Sequence, residues 1–205
     1  MMLKGMTARM LIRTIYPVKK GDTILVHAAA GGVGLILCQW AAKLGARVIG
    51  TVSSEAKAAL AAAHGCHHPI VTANRDFVAE VLRITDGEKL PVVYDSVGKD
   101  TFLHSFDCLA PRGMMVSFGQ SSGAIEPFAP AILAQKGSLF LTRPTLFTYI
   151  ADPAELRASA AELFDVVGSG AVRIEINQRF ALADAADAHR ALEARQTTGS
   201  TVLTV

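Results

Sequence analysis

Thr23-Ile24-Leu25-Val26-His27-Ala28-Ala29-Ala30-Gly31-Gly32-Val33-Gly34 is the stretch on which the reading of this chain turns. A β-branched, apolar run meets a cluster of small residues, and an apolar helical pattern from Leu35 to Leu44 follows at once. Strand, tight turn and helix in that order read as the first unit of a dinucleotide-binding sheet. The usual G-x-G-x-x-G stands here as Ala29-x-Gly31-x-x-Gly34. Gly31 lets the backbone approach a pyrophosphate, and Gly34 lets the helix pack closely on the strand. The helix N-terminus offers open N–H groups and the positive end of its dipole to the anion. Ala29 is the departure, because a β-carbon restricts the turn at the first glycine position.

Outward from the turn, composition bounds the rest. A chain of 205 residues, 51% hydrophobic but only 6% aromatic, suffices for one large domain, or one domain with an appendage, whose strands are covered on both faces. Twenty basic residues against 18 acidic ones leave a net charge of +2, which points away from nucleic acid and from a charged membrane surface. Cys38, Cys66 and Cys108 form an odd set without a metal-type repeat, as expected of buried thiols in a reducing cytoplasm. The apolar runs fall short of the roughly 20 residues that span a bilayer. Met1 to Tyr16 makes a poor signal peptide, since Lys4, Arg9 and Arg13 interrupt its apolar residues.

Apolar spacing predicts an amphipathic helix over 3–16, ended by Pro17. Strands follow at 23–27, 47–52, 69–72, 91–95, 113–119 and 138–142. Helices are predicted at 32–44, 55–64, about 75–84, 100–109 and 130–136. Strict alternation of the two argues for an α/β fold with a doubly wound, six-stranded parallel (Rossmann) sheet. The pattern loosens after Pro144: a long helix at 153–167, an extended piece at 173–180, a helix at 183–195 and a last strand at 201–205, unlike a seventh strand–helix–strand unit. The expected division is therefore 1–144 and 145–205.

An acidic residue about 20 positions after the glycine turn normally holds the ribose 2′-hydroxyl of NAD. Here the second strand ends in Ser53 and Ser54, with Lys57 one turn into the helix and no acid. Hydroxyls and an ammonium favour a 2′-phosphate, hence NADPH. The competing reading makes Ser54 a helix N-cap and Lys57 a solvated helix residue, and the two do not exclude each other.

His27-Ala28-Ala29-Ala30-Gly31-Gly32-Val33-Gly34-Leu35, Gln39-Trp40-Ala41, Val92 to Gly98, Met115 to Gly119 and Lys136-Gly137-Ser138-Leu139 together resemble the NADPH:quinone oxidoreductases, the zinc-free, zeta-crystallin-like branch of the medium-chain dehydrogenases. The resemblance covers essentially the whole chain. It implies that Ala30, Gly31, Gly32 and Val33 meet the pyrophosphate, and that Ser53 and Lys57 hold the adenosine 2′-phosphate. Ser96 would lie along the cofactor, Phe118 and Gly119 would face the nicotinamide, and Arg195 would reach in from the tail. Thr72 stands where the family often carries a tyrosine, so one hydrogen bond replaces a stacking contact. Members begin with a GroES-like catalytic domain, whereas this chain starts at the helix before the dinucleotide domain; the implied reading is a truncated member whose tail would complete that domain. The implied activity is hydride transfer from NADPH to a quinone or similar enone, with no side chain named as catalytic. The alternative is an NADPH-binding module without turnover. The strand at 138–142 would pair with its mate across a homodimer, covering an otherwise open edge.

Other constellations read as structural. His64-Gly65-Cys66-His67-His68 straddles a helix end and a short strand, so its side chains diverge instead of converging as a zinc site needs. Asp95 reads as a turn or cofactor-side residue, His27 as packed beside the turn, and Phe102, Phe106 and Leu109 as core.

Overall fold

The structure, a computed structural model, describes residues 1–73 and 75–205. The chain enters through α1 (Met2–Arg9), which passes without a break into a π-helical stretch, Met10–Ile15. The wide turns are a difference from the plain helix predicted over 3–16. They lie against Pro17, which has no N–H for the preceding carbonyls; instead Tyr16 N donates to Leu11 O at 3.2 Å and Val18 N to Ile12 O at 2.9 Å.

Then come β1 (Thr23–Val26), α2 (Gly32–Lys43), β2 (Arg47–Val52), α3 (Glu55–Ala63), β3 (His68–Val71), α4 (Phe77–Ile84), β4 (Leu90–Asp95), α5 (Phe102–Ser105), β5 (Leu109–Ser117), α6 (Ala131–Gln135) and β6 (Phe140–Thr142). The strands pair in parallel in the order β3-β2-β1-β4-β5-β6, the doubly wound Rossmann sheet expected from the sequence. Winding reverses between β1 and β4, and a sheet of this kind opens its ligand crevice at the carboxyl ends of those two strands.

The pleat sorts the strand residues into two cores. Ile24, Val26, Val48, Val92, Tyr94 and Val116 face α1, α2 and α3, while Leu25, Ile49, Val93 and Met115 face α4 and α5. Each such aliphatic side chain, once fully buried, contributes about 1.5–3 kcal/mol. Trp40 on α2 is the largest of the buried side chains. Gly45 and Gly65 stop α2 and α3 with φ of +87° and +85°, where a β-carbon would be strained.

Several boundaries differ from the sequence reading, among them β6, which spans Phe140–Thr142 and not 138–142, because Ser138 turns with a φ of +55°. α4 begins at Phe77 and not near Arg75, because Asp76 caps it, accepting from Val78 N at 2.9 Å; Arg75 is left in the loop. The helix predicted over 100–109 is only α5 and one 3₁₀ turn, Phe106–Cys108, and β5 starts at Leu109 instead of Gly113. A bulge explains the early start: Leu109 pairs with Leu90, Arg112 takes a φ of +64°, and the ladder resumes with Met114 opposite Val92.

The remainder comprises α7 (Leu146–Tyr149), α8 (Pro153–Gly168), β7 (Ile176–Ala181), α9 (Ala185–Glu193) and β8 (Ser200–Thr204). Contrary to the sequence reading, β7, α9 and β8 do make a strand–helix–strand unit, with parallel strands in a two-stranded sheet of their own. The extended piece expected at 173–180 is β7, but it is largely exposed and carries no apolar run, so the pattern does not show its pairing with β8. α8 packs on α1. Leu163 is fully buried there, and a β-carbon on Gly5 would lie 2.5 Å from its Cδ1. Glu162 of α8 accepts from Arg9 and Arg13 at 2.8 and 2.7 Å. Among the described residues no helix is long and apolar enough to cross a membrane.

Candidate functional site at the switch point

The turn after β1 is built by hydrogen bonds to both neighbouring strands. His27 N donates to Tyr94 O and Ala29 N to Thr51 O, each at 3.0 Å. The left-handed residue is Ala28, with φ of +54°, so the strain expected at Ala29 falls one position earlier. Ala29 is fully buried and fits because β2 carries glycine opposite it. A β-carbon on Gly50 would lie 2.6 Å from Ala29 Cβ and 2.7 Å from Cys66 Sγ. Gly34 has the role predicted for it: a β-carbon there would sit 2.4 Å from Ala28 O.

Gly31 N–H is already committed to Ala28 O at 2.9 Å, so Gly31 contributes close approach and not a donor. No side chain caps α2 among the described residues. The open donors at its N-terminus are therefore the amides of its first turn, Gly32 and Val33. Lys4 of α1 reaches this turn. Its Nζ lies 2.5 Å from where a Gly32 β-carbon would stand and donates to Ser200 Oγ at 3.2 Å, and burial lowers its pKa.

Beside the turn, at the carboxyl ends of β1 to β4, opens a cavity of about 590 Å³. Ala30, Gly31, Ser53, Lys57, Thr72 and Arg195, all expected from the sequence, line it. Lys57 Nζ donates to Ser53 Oγ at 3.2 Å and to the Arg195 carbonyl at 2.6 Å, while the Arg195 guanidinium faces Asp100 at 3.7 Å. Burial, with the Arg195 charge second, lowers the Lys57 pKa. Ser54 is the N-cap of α3, accepting from Lys57 N at 3.4 Å, so the structural reading of Ser54 holds. Thr72 Oγ1 donates to Val52 O at 3.2 Å. The tail also touches the glycine turn directly: Gly199 N donates to Ala30 O at 3.0 Å, and Gly31 and Gly199 pair as an isolated parallel bridge.

Ser96, Phe118 and Gly119 gather beyond this cavity, at the ends of β4 and β5. A β-carbon on Gly119 would lie 2.6 Å from Ser96 O, and Phe118 N donates to Asp95 O at 2.8 Å. Arg143, just past β6, holds this segment by donating to Ser117 O at 3.0 Å and Gly119 O at 2.8 Å.

Beneath the cavity, behind Thr51 and Thr101 of its lining, lies a buried polar network. Ser105 Oγ donates to Thr101 O at 2.8 Å, so His27 Nε2–H donates to Ser105 Oγ at 2.9 Å, and His27 Nδ1 accepts from Thr51 Oγ1 at 2.9 Å. The network thus assigns one neutral tautomer. Burial lowers the His27 pKa, with Asp95 a smaller opposing influence. Asp95 is a turn residue, accepting from Val97 N at 2.7 Å, Gly98 N at 3.1 Å and Thr101 Oγ1 at 2.8 Å.

The histidine cluster has separate employments. His64 contacts Leu60 O and Glu175, His67 Nδ1 accepts from Val48 N, and His68 Nε2 accepts from Arg47. Among the described residues no three His, Cys, Asp or Glu side chains converge, so the donors present do not fit a zinc ion. Cys38, Cys66 and Cys108 are free and buried; burial pushes the Cys108 thiol up to about 12.

Sequence reasoning missed Lys4, Thr51, Arg75 and Asp100 as neighbours of the site. For Arg75 a signal existed: Asp76 immediately before Phe77-Val78 is an N-cap pattern that excludes Arg75 from the helix.

Sheet order, uncapped helix and cavity at the reversal define a Rossmann domain of the kind that receives a dinucleotide. The profile of the family described as zinc-binding dehydrogenase matches residues 32–165, and the chain belongs to that family. It is 57% identical over 202 residues to a quinone oxidoreductase of Pseudomonas aeruginosa, covering 98% of this chain and 62% of that protein. It is 48% identical over 204 residues to a 2-haloacrylate reductase of a Burkholderia species, covering 99% of this chain and 61% of that one. Among solved structures, the Escherichia coli quinone oxidoreductase complexed with NADPH superposes with a TM-score of 0.97 at 48% identity, over 99% of this chain and 63% of that one. The chain thus spans about three fifths of the length of these relatives.

Proposed function

We propose that this chain is the NADPH-binding part of a zinc-independent, cytoplasmic reductase acting on a quinone or a similar conjugated carbonyl. One observation carries the reading: β2 ends without a carboxylate, and Ser53, Lys57 and Arg195 meet there instead. These groups donate to and neutralise a 2′-phosphate, whereas a free 2′-hydroxyl is normally held by an acid. The P. aeruginosa and E. coli relatives support the substrate class, and the E. coli structure, by its ligand, supports the cofactor. The Burkholderia reductase supports widening the class beyond quinones.

NADPH, when bound, supplies the hydride. The chain's own residues bind and orient. Ala30 and Gly31 let the backbone come close, and the Gly32 and Val33 amides meet the pyrophosphate. Ser53, Lys57, Thr72 and Arg195 hold the adenosine phosphate. Ser96, Phe118 and Gly119 border the nicotinamide end. No proton transfer is assigned to a side chain here; both nitrogens of His27 are engaged in the buried network beneath the cavity.

Residues 1–144 form the binding unit in this proposal, and 145–205 the part that joins a catalytic domain. Two copies associate through β6, whose Phe140 is 58% exposed at the sheet edge. The free, buried cysteines suit a reducing compartment. A binding module without turnover is the second reading, since the residues placed here bind and orient the cofactor and none is assigned a proton transfer. NADPH oxidation with a panel of quinones, alongside titrations of NADPH and NADH, separates the two. Binding without oxidation leaves the module, and equal affinity for the two cofactors removes the role given to Ser53 and Lys57.

A further inference from the structure

We infer that Arg75 is a third cation of the adenosine 2′-phosphate pocket and sets its preference for the phosphorylated cofactor. The inference rests on the NADPH reading above. Arg75 lines the same cavity as Ser53, Lys57 and Thr72, but approaches from the loop between β3 and α4 and not from α3. The Asp76 cap on Val78 N ends the helix short of Arg75 and fixes the backbone from which its side chain departs.

Its guanidinium is only loosely held: it pairs with Glu80 at 3.6 Å, beyond hydrogen-bond length, and its side chain is 59% exposed. Glu80 is already taken by Arg83, whose Nη2 and Nε donate to the same oxygen at 2.9 and 3.2 Å. No comparably close partner holds Arg75 among the described residues.

The charge balance gives Arg75 its weight. Without it, the cavity lining sets Lys57 and Arg195 against Asp76 and Asp100, two charges of each sign, and Arg195 already faces Asp100 at 3.7 Å. Arg75 tips the lining to a net positive charge. A phosphate monoester carries about −1.5 to −2 near neutral pH, so a lining with no net charge would leave most of it uncompensated. The guanidinium fork can also donate two parallel hydrogen bonds to phosphate oxygens, which an ammonium cannot. Thr72 would have to release the bond its hydroxyl donates to Val52 O before it could reach the same group, so the loop after β3 keeps a strong phosphate contact through Arg75.

The test uses the full chain and two fragments, adenosine 2′,5′-bisphosphate and 5′-AMP, titrated by calorimetry into the unmodified protein and into Arg75→Gln, Arg75→Lys and Lys57→Gln. Arg75→Gln is expected to weaken the bisphosphate by about tenfold while leaving 5′-AMP within about twofold, and Arg75→Lys to keep much of the affinity. If Arg75→Gln leaves the bisphosphate unchanged while Lys57→Gln weakens it, Arg75 is no phosphate ligand and the NADPH reading stands. Equal weakening of both fragments by Arg75→Gln also overturns the inference, since it marks a contact to adenine or a packing effect. If the unmodified protein binds both fragments alike, the NADPH reading fails and takes this inference with it.

Discussion

Ala29 and Gly50 exchange roles that a glycine-rich turn usually keeps to itself. The β-carbon at the first glycine position is accommodated by its absence one strand away, where Gly50 would otherwise contact Ala29 Cβ at 2.6 Å. Gly50→Ala is expected to cost about 1–3 kcal/mol through overpacking. Ala29→Gly in the same chain should recover only part of this, because Cys66 Sγ at 2.7 Å remains in the way. A double-mutant cycle by urea denaturation measures the coupling, and strict additivity would show that the two sites do not share the space. His27 supplies a second prediction. Burial holds its folded pKa below the ordinary 6.5, so the unfolded chain binds the proton more readily than the folded one. Stability is then complete above about pH 6.5 and falls as the pH drops below it towards the folded value. His27→Gln should flatten the slope of unfolding free energy between about pH 5 and 7, even though it lowers stability overall. An unchanged slope would place the titration elsewhere.

At the scale of elements, α1 and α8 hold one another through Leu163 above Gly5, a contact between opposite ends of the chain. Leu163→Ala should cost about 2–5 kcal/mol, and chemical denaturation would show it as a lower midpoint with little change of slope. Elements were also where the sequence was most informative. Strand and helix runs with glycine stops located the sheet and both its covered faces, because a buried parallel strand advertises itself as an aliphatic run. What stayed hidden was set by contacts remote in sequence. Arg112 in the left-handed region lets β5 begin early, Gly50 is matched to Ala29 across two strands, and β7, mostly solvated, lacks the aliphatic face that would show its pairing with β8. The site divides the same way. Gly31, Ser53 and Lys57 follow from local motifs and Arg195 from the family resemblance. The commitment of the Gly31 amide to Ala28, and the entry of Lys4 and Arg75, needed the fold.

For the whole molecule, the proposed association through β6 is tested by mass. Light scattering should give twice the 21.7 kDa of one chain, and Phe140→Asp should return a single chain by placing a charge on the shared edge. A single-chain mass before mutation removes the proposal. The segment from Arg195 to Ser200 has a different consequence. It reaches the site through a handful of polar contacts, Lys57 to Arg195 O, Gly199 to Ala30 O and Lys4 to Ser200 Oγ, while little apolar surface pins it down: Leu192 beside it is 57% exposed. Such a strap can peel away while the sheet stays folded, so its opening free energy is a small fraction of the global one. Amide hydrogen exchange should therefore be fast at Gly199, whose N–H bonds Ala30 O, and slow in β1 and β4. Adding NADPH should slow Gly199 and leave the strands unaltered, so that the occupancy of the site can be timed from how long the strap stays shut.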